Sequence, residues 1–440
     1  MKHQSIISIF GRLYIAILLV IFGFIVLQGP ISVGFGTLWP KYDLLIKSWK
    51  EILMLVASIL ALIIIYIKRQ FVLLRDPILL AIGAYAILHV ISVIFLFSGF
   101  KSSLAGLLID LRYVLYFVLV YLGLKLYPDY KKKFIKVGII GALIVLIFAL
   151  LQVFVLPNDV LKYIGYNVNT ISPYLTVDQN HDFIRINSTL RGPNPLGAYA
   201  GLVLTLIVAA FSSQKVKKNK HTLAVASVLA IGSVVALWAS YSRSAWIGAI
   251  LSVLVVLLVA VVPKLSKKKI AIGSIILSIF VVCAGFFVIN NTQFASNVLL
   301  HENPNDSSKV NSNEGHINSL KDGISQLIDQ PFGVGVGSTG SASLYTDSPI
   351  IIENQYLFTA HELGWLGLII FLFIFGLIMK RLWKLRSDWL ALGVFASGLC
   401  LAVIGLLLPV WVDDTVAIIW WGLAAIACSG CNEKNESLRI

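Results

Sequence analysis

Charge is what this chain has least of. Only 13% of its 440 residues are Asp, Glu, Lys or Arg, 58% are hydrophobic, and the mean hydropathy is +0.89. A water-soluble domain of this length needs more polar surface, so soluble enzymes are excluded and a polytopic membrane protein is expected. Acidic residues are the scarcer sign, 21 against 35 Lys and Arg, for a formal charge of +14. No Lys/Arg run is interleaved with aromatics on a soluble domain. The basic excess therefore reads as membrane topology and contact with anionic headgroups, not as nucleic-acid binding. Cysteine is rare as well: Cys283 and Cys400 lie inside apolar runs, and Cys428 and Cys431 form a lone C-x-x-C. Without a second pair or a thioredoxin-like setting, that motif implies neither zinc nor redox chemistry. Histidines and carboxylates show no H-x-x-H or D-x-D spacing, so no metal site and no cofactor is expected. No cleavable signal peptide is expected, and the first apolar run reads as a retained anchor.

What is present is one long apolar run after another. A membrane-spanning helix needs about 20 apolar residues, and only helices or closed barrels satisfy their backbone in lipid. These runs are continuous where barrel strands would alternate. The expected fold class is all-α, with twelve spans at 13–33, 51–67, 77–97, 104–124, 134–156, 193–212, 222–240, 244–262, 270–290, 353–379, 389–408 and 411–429. One set of connections carries most of the 35 basic residues, for instance Lys131, Lys132, Lys133 and Lys136, or Lys380, Arg381, Lys384 and Arg386. By the positive-inside rule both termini are cytoplasmic and the long polar loop at 291–352 is outside. The chain divides into N-terminal spans and an outer loop (1–190), a core containing the long loop (191–380), and two last spans with a tail (381–440).

The long loop has internal order. Ile317, Leu320, Ile324, Leu327 and Ile328 recur at helical spacing and Pro331 ends the pattern, which predicts a short amphipathic helix on the membrane surface or over a cavity. The stretch from Pro331 to Gly337 is rich in glycine. It lacks a Walker lysine and a preceding strand, so a flexible turn is expected in place of a phosphate loop.

Ionisable residues at bilayer depth are candidates for function. Arg191 opens Arg191-Gly192-Pro193-Asn194-Pro195-Leu196-Gly197, and Arg243 sits in the tight turn Tyr241-Ser242-Arg243-Ser244-Ala245. Guanidinium groups bind phosphate oxygens bidentately and keep their charge. Two of them at one face would suit a lipid-linked pyrophosphate; the other reading is that they snorkel to headgroups or fix topology. Glu353 stands where the loop enters the tenth span. It is a candidate general base toward a hydroxyl, or an anion favouring a helix N-terminus. Glu362 lies deeper in the same run, as a substrate contact or a positioner of the arginines. Asp110 with Arg112, and Asp413 with Asp414, are two further intramembrane clusters that could pair structurally, line a proton path or bind sugar hydroxyls. Asn194, Asn354, Tyr356 and His316 complete the candidate substrate-binding set, although a lone histidine at the position of His316 is usually inert.

From about Gly192 to Phe375 the chain resembles the O-antigen ligase and polymerase superfamily (Wzy/WaaL type) of bacterial envelope enzymes. The motifs are Arg191 with its Gly-Pro-Asn-Pro-Leu-Gly, Ser242-Arg243-Ser244-Ala245-Trp246-Ile247-Gly248, Gln330-Pro331-Phe332-Gly333-Val334-Gly335, Asn354-Gln355-Tyr356-Leu357, Glu362, Gly364 and Gly367. The resemblance implies a metal-independent glycosyltransferase of the cytoplasmic membrane, active on its outer face. It would take a glycan from undecaprenyl pyrophosphate and move it to an acceptor hydroxyl. Arg191 and Arg243 would neutralise the departing pyrophosphate while a base activates the acceptor. Membrane lipids, a flippase and chain-length regulators are the partners this implies. The family's ligases typically carry His-Asn where this chain has Glu353-Asn354, which favours the polymerase branch. The alternatives are a ligase acting on lipid A core, protein or wall polymer, and, from another class, a lipid-linked glycan transporter. No internal repeat pairs the two halves as in many transporters.

Overall fold

A computed structural model describes residues 2–177, 180–213, 219–266, 268, 290, 320–321, 323–325 and 327–430, with side chains from Ile9 onward. The expected span at 270–290 (apart from Asn290), half of the loop that follows it, and His316 lie outside the described residues. Among the described residues nine helices are long and apolar enough to cross a membrane. They are α1 (Ile9–Leu38), α2 (Trp49–Lys68), α3 (Pro77–Phe95), α4 (Phe100–Leu126), α5 (Pro128–Phe154), α6 (Pro193–Ser212), α7 (Lys220–Ser240), α8 (Arg243–Lys264) and α9 (Gln355–Lys384). Each coincides with an expected span. The last two expected spans are shorter helices, α10 (Trp389–Ile404) and α11 (Asp414–Cys428). Irregular backbone over residues 405–413 takes up the rest of those two apolar runs. Its backbone groups find partners in the protein: Trp411 is buried, and its backbone N–H donates to Gln355 Oε1 at 2.8 Å.

Local chemistry sets the helix starts. Asp76 caps α3 by accepting from Ile78 N, with Pro77 at the first helical position; Asn219 caps α7 through Thr222 N, and Asp413 caps α11 through Val416 N. The turn between α7 and α8 is a single left-handed residue, Tyr241 at φ 46°, followed by Ser242. A non-glycine residue in that conformation costs on the order of 1 kcal/mol or more, so packing around the turn must hold it.

That packing comes from small residues. A Cβ on Gly197 of α6 would lie 2.7 Å from Ser240 Oγ, 2.9 Å from Ala245 Cβ and 3.1 Å from Ser242 Cβ. One helical turn on, Gly201 faces Ala249, while Gly248 of α8 faces Cys400 of α10. In lipid no hydrophobic force joins helices, so close backbone approach through glycine and alanine does that work. Elsewhere the interior is filled by rings, with Trp420 and Trp421 of α11 fully buried against Trp411, Phe117 and Tyr113.

One element departs from the all-α expectation. β1 (Leu175–Val177) pairs antiparallel with β2 (Asn180–Arg185), Leu175 facing Arg185 and Thr176 facing Ile184. The chain leaving this hairpin docks on the end of α7, where Ile186 N donates to Ala239 O.

Candidate functional site

Two groups of buried ions mark the two ends of the helix bundle. At one end Arg381 of α9 grips Asp76 through two bonds, of 2.7 and 3.1 Å, and Tyr121 donates to the same carboxylate at 2.6 Å. Burial by itself would push the Asp76 carboxyl up. The bonds from Arg381 and Tyr121, the guanidinium charge and the Ile78 N–H outweigh it and hold the group below the ordinary carboxylate range.

The other end carries the candidate site. Lys50 lies 2.9 Å from Asp414 and 3.1 Å from Glu51, and Arg112 bridges Asp414 and Glu51 while donating to Val412 O. Arg112 and Asp414, one member of each of the two intramembrane clusters read separately from the sequence, are therefore in one network, whereas Asp110 lies 3.8 Å from His89 and Asp413 caps α11. The network contains Lys50 and Glu51, which sequence spacing could not connect because they lie on another helix. Arg191 stands beside this network, close enough that its charge acts on both Asp413 and Asp414.

A third arginine, not singled out by the sequence, completes the arrangement. Arg185, the last residue of β2, donates from Nε to Ser240 O at 2.8 Å and from Nη2 to Asn194 Oδ1 at 2.6 Å. It thereby ties the start of α6 to the turn that presents Arg243. The edge-to-face contact of Phe183 with Tyr241 supports the same turn from the hairpin. Arg185, Asn194 and Arg243 are thus held on one surface by the Gly197 contact, the Tyr241 turn and the hairpin. Arg191 is exposed and Arg243 half-buried. The signal for Arg185 in the sequence is weak: a basic residue in an outer loop, six positions before Arg191.

Glu353 is exposed and lies one residue before the α9 cap. Asn354 is that cap. Its Oδ1 accepts from Tyr356 N and Leu357 N at 2.9 and 3.0 Å, and its Nδ2 donates to Leu406 O at 2.8 Å. Tyr356 spends its hydroxyl on Ala402 O at 2.8 Å. Both residues therefore hold the start of α9 against the chain that leaves α10. The 405–413 segment links this start to the arginines: Gln355 N donates to Gly405 O, and the same segment ends at Asp413 beside Arg191.

Glu362 is fully inside the protein. It lines a small buried pocket with Asp110 and accepts from Gly337 N at 3.0 Å. That contact belongs to a break in α9, where Gly364 is at φ 67° and ψ −170°. Breaking a helix frees backbone groups that lipid cannot satisfy. The glycine-rich stretch supplies their partners: Val334 N to His361 O at 2.7 Å, Gly335 N to Glu362 O at 3.1 Å, and Trp365 N to Pro331 O at 3.0 Å. Ser102 of α4 closes the other side by donating to Gly337 O at 2.6 Å. In place of the expected flexible turn, the stretch is a packed plug, with Val336 fully buried. Above it residues 320–321, 323–325 and 327–329 are helical, in line with the predicted amphipathic helix. Leu327 is buried, Leu320, Ile324 and Ile328 are exposed, and Gly323 abuts Leu357 in the first turn of α9.

Among the described residues no group of three or more His, Cys, Asp or Glu is placed to hold a metal ion.

Residues 226–372 match a family model described as O-antigen ligase. The matched third of the chain runs from within α7 to within α9. It includes Arg243, the glycine plug, Glu353, Asn354, Tyr356 and Glu362, but neither Arg191 nor Asn194. No curated protein matches the chain. The match supports the O-antigen ligase and polymerase superfamily read from the motifs.

Proposed function

We propose that this protein polymerises undecaprenyl-pyrophosphate-linked oligosaccharide repeat units for a capsule, exopolysaccharide or O-antigen, on the outer face of the bacterial cytoplasmic membrane. The observation that carries this reading is the joining of Arg185, Asn194 and the Arg243 turn. Fixed guanidinium groups at a helix-end surface suit a leaving group bearing several negative oxygens.

In the reaction proposed, the acceptor hydroxyl oxygen attacks the anomeric carbon of the donor sugar. Its proton passes to the Glu353 carboxylate. The bond from that carbon to the pyrophosphate oxygen breaks, and the electron pair leaves with the pyrophosphate, whose added charge Arg191 and Arg243 neutralise. Positioning falls to Arg185, which sets Asn194 and the Ser240–Arg243 turn. The arginines supply positive charge that a metal would otherwise bring, so the assay is run with chelator present.

A ligase is the second reading, favoured by the description of the matched family. Purified protein given one lipid-pyrophosphate-linked repeat unit and no other acceptor distinguishes the two. A ladder of products spaced by one repeat identifies a polymerase. Transfer only after an envelope acceptor is added identifies a ligase. Absence of turnover with every acceptor refutes both and leaves a transporter. Arg243→Ala is expected to abolish turnover while the protein stays folded and monodisperse. An active Arg243→Ala enzyme would remove that arginine from the mechanism.

A further inference from the structure

One opening among the described residues lies far from the arginines. A groove of about 420 Å³ runs between α1, α5, α6, α7, α10 and α11, within the range of ligand-sized sites. Its walls are hydrocarbon, among them Ile139, Ala142, Leu202, Leu206, Val225 and Leu390. Its mouth is polar: His221 and Thr222 line it at the start of α7, and Trp389 at the start of α10. This is the end of the bundle opposite the arginines, since α6 and α7 meet the arginine surface at Pro193 and Ser240.

Charge gathers at that mouth. Lys132 and Lys136, four positions apart on α5, form a stripe along one flank of the lining residues Ile135 and Ile139. Lys220 precedes His221 directly, and Lys132, Lys136, Lys220 and His221 are all exposed. The N-termini of α5, α7 and α10 point the same way, each adding partial positive charge. Two acids oppose them: Asp129, exposed in the first turn of α5 three positions before Lys132, and Asp388, ahead of Trp389, which lies 3.8 Å from Lys131 and is offset by it.

We propose that this groove is a binding site for an anionic phospholipid, with an acyl chain between α5, α6 and α7 and the phosphate at Lys132, Lys136 and Lys220. An apolar slot opening on a cluster of lysines complements a molecule with one hydrocarbon end and one anionic end. A neutral lipid satisfies only the slot. The site is separate from the proposed transfer chemistry and stands or falls independently of it.

Native mass spectrometry of the delipidated full-length protein tests this, with dioleoyl phosphatidylglycerol, dioleoyl phosphatidylcholine and a polyprenyl monophosphate as probes. Phosphatidylglycerol is expected to bind one per chain with at least about tenfold preference over phosphatidylcholine, given the attraction each lysine contributes near a membrane surface. The surface variant combining Lys132→Glu, Lys136→Glu and Lys220→Glu should remove the preference. Ala226→Phe, which fills the groove, should weaken retention of either phospholipid. Equal binding of the two phospholipids, or a preference that survives charge reversal, overturns the proposal. Displacement of phosphatidylglycerol by the polyprenyl phosphate at equal concentration overturns it too, by assigning the groove to a substrate tail.

Discussion

Replacing Gly335 by alanine is expected to be among the most damaging single-methyl changes in this protein. Gly335 adopts φ +117°, which side-chain-bearing residues rarely take, and a Cβ there would lie 2.1 Å from Leu96 O and 3.0 Å from Ser98 Oγ. The carbonyl of Leu96 belongs to the end of α3 and cannot rotate away like a flexible side chain. Backbone strain costs roughly 1–3 kcal/mol, and forced overpacking roughly another 1–3 kcal/mol. If the plug shifts to relieve the clash, the bond from Gly335 N to Glu362 O is lost, and each buried backbone group left unpaired adds about 1–3 kcal/mol. The total is roughly 2–6 kcal/mol, expressed at the break in α9. Thermal unfolding in detergent should record a fall on the order of 5 °C, given about 2–4 °C per kcal/mol for 150–250 residues and less for a longer chain. Gly83→Ala and Gly376→Ala are the controls. Both positions are helical with nothing within 4 Å of an added Cβ, and alanine is the better helix former by about 1 kcal/mol. A Gly335→Ala protein that melts with the wild type and keeps its activity would refute the plug as a rigid support for α9.

Asp76→Asn should flatten the acid limb of stability. A carboxyl held below its ordinary range contributes stability that is complete above the unfolded value of about 3.9 and is lost as pH falls through the lower folded value. Melting profiles from pH 7 to pH 3 should show a steep acid decline in the wild type and a shallow one in the variant; parallel declines would contradict the linkage. Asp414→Ala strips the partner from buried Lys50 and Arg112, so a loss of roughly 3–5 kcal/mol is expected, read as reduced folded yield and melting temperature. Arg185→Lys keeps the charge but cannot bond to Ser240 O and Asn194 together. It should lower kcat by about tenfold or more while folding is retained, and unchanged kcat would make Arg185 merely structural.

Length and hydropathy were enough to place nine helices in the sequence, because lipid leaves the backbone little choice once about 20 apolar residues run together. The start of α9 was also legible in outline, since Asn354 is a strong capping residue before a long apolar run. Charge partners were not legible. Lys50, Arg112 and Asp414 lie on three helices, and Arg185 reaches Asn194 and Ser240 from a hairpin that apolar patterning does not reveal. The glycine stretch shows the same limit. Its composition is compatible with a flexible turn, and it becomes a packed plug only because a broken α9 offers unpaired carbonyls beside Ser102 and Leu96. The sequence by itself determined the membrane-spanning class and the identity of the arginine-bearing turns, through solvation that acts residue by residue. Which arginines share a surface, which carboxylates are consumed in ion pairs, and which glycines bear structure were decided by packing between distant segments. Those are properties of distances in space, on which spacing along the chain is silent.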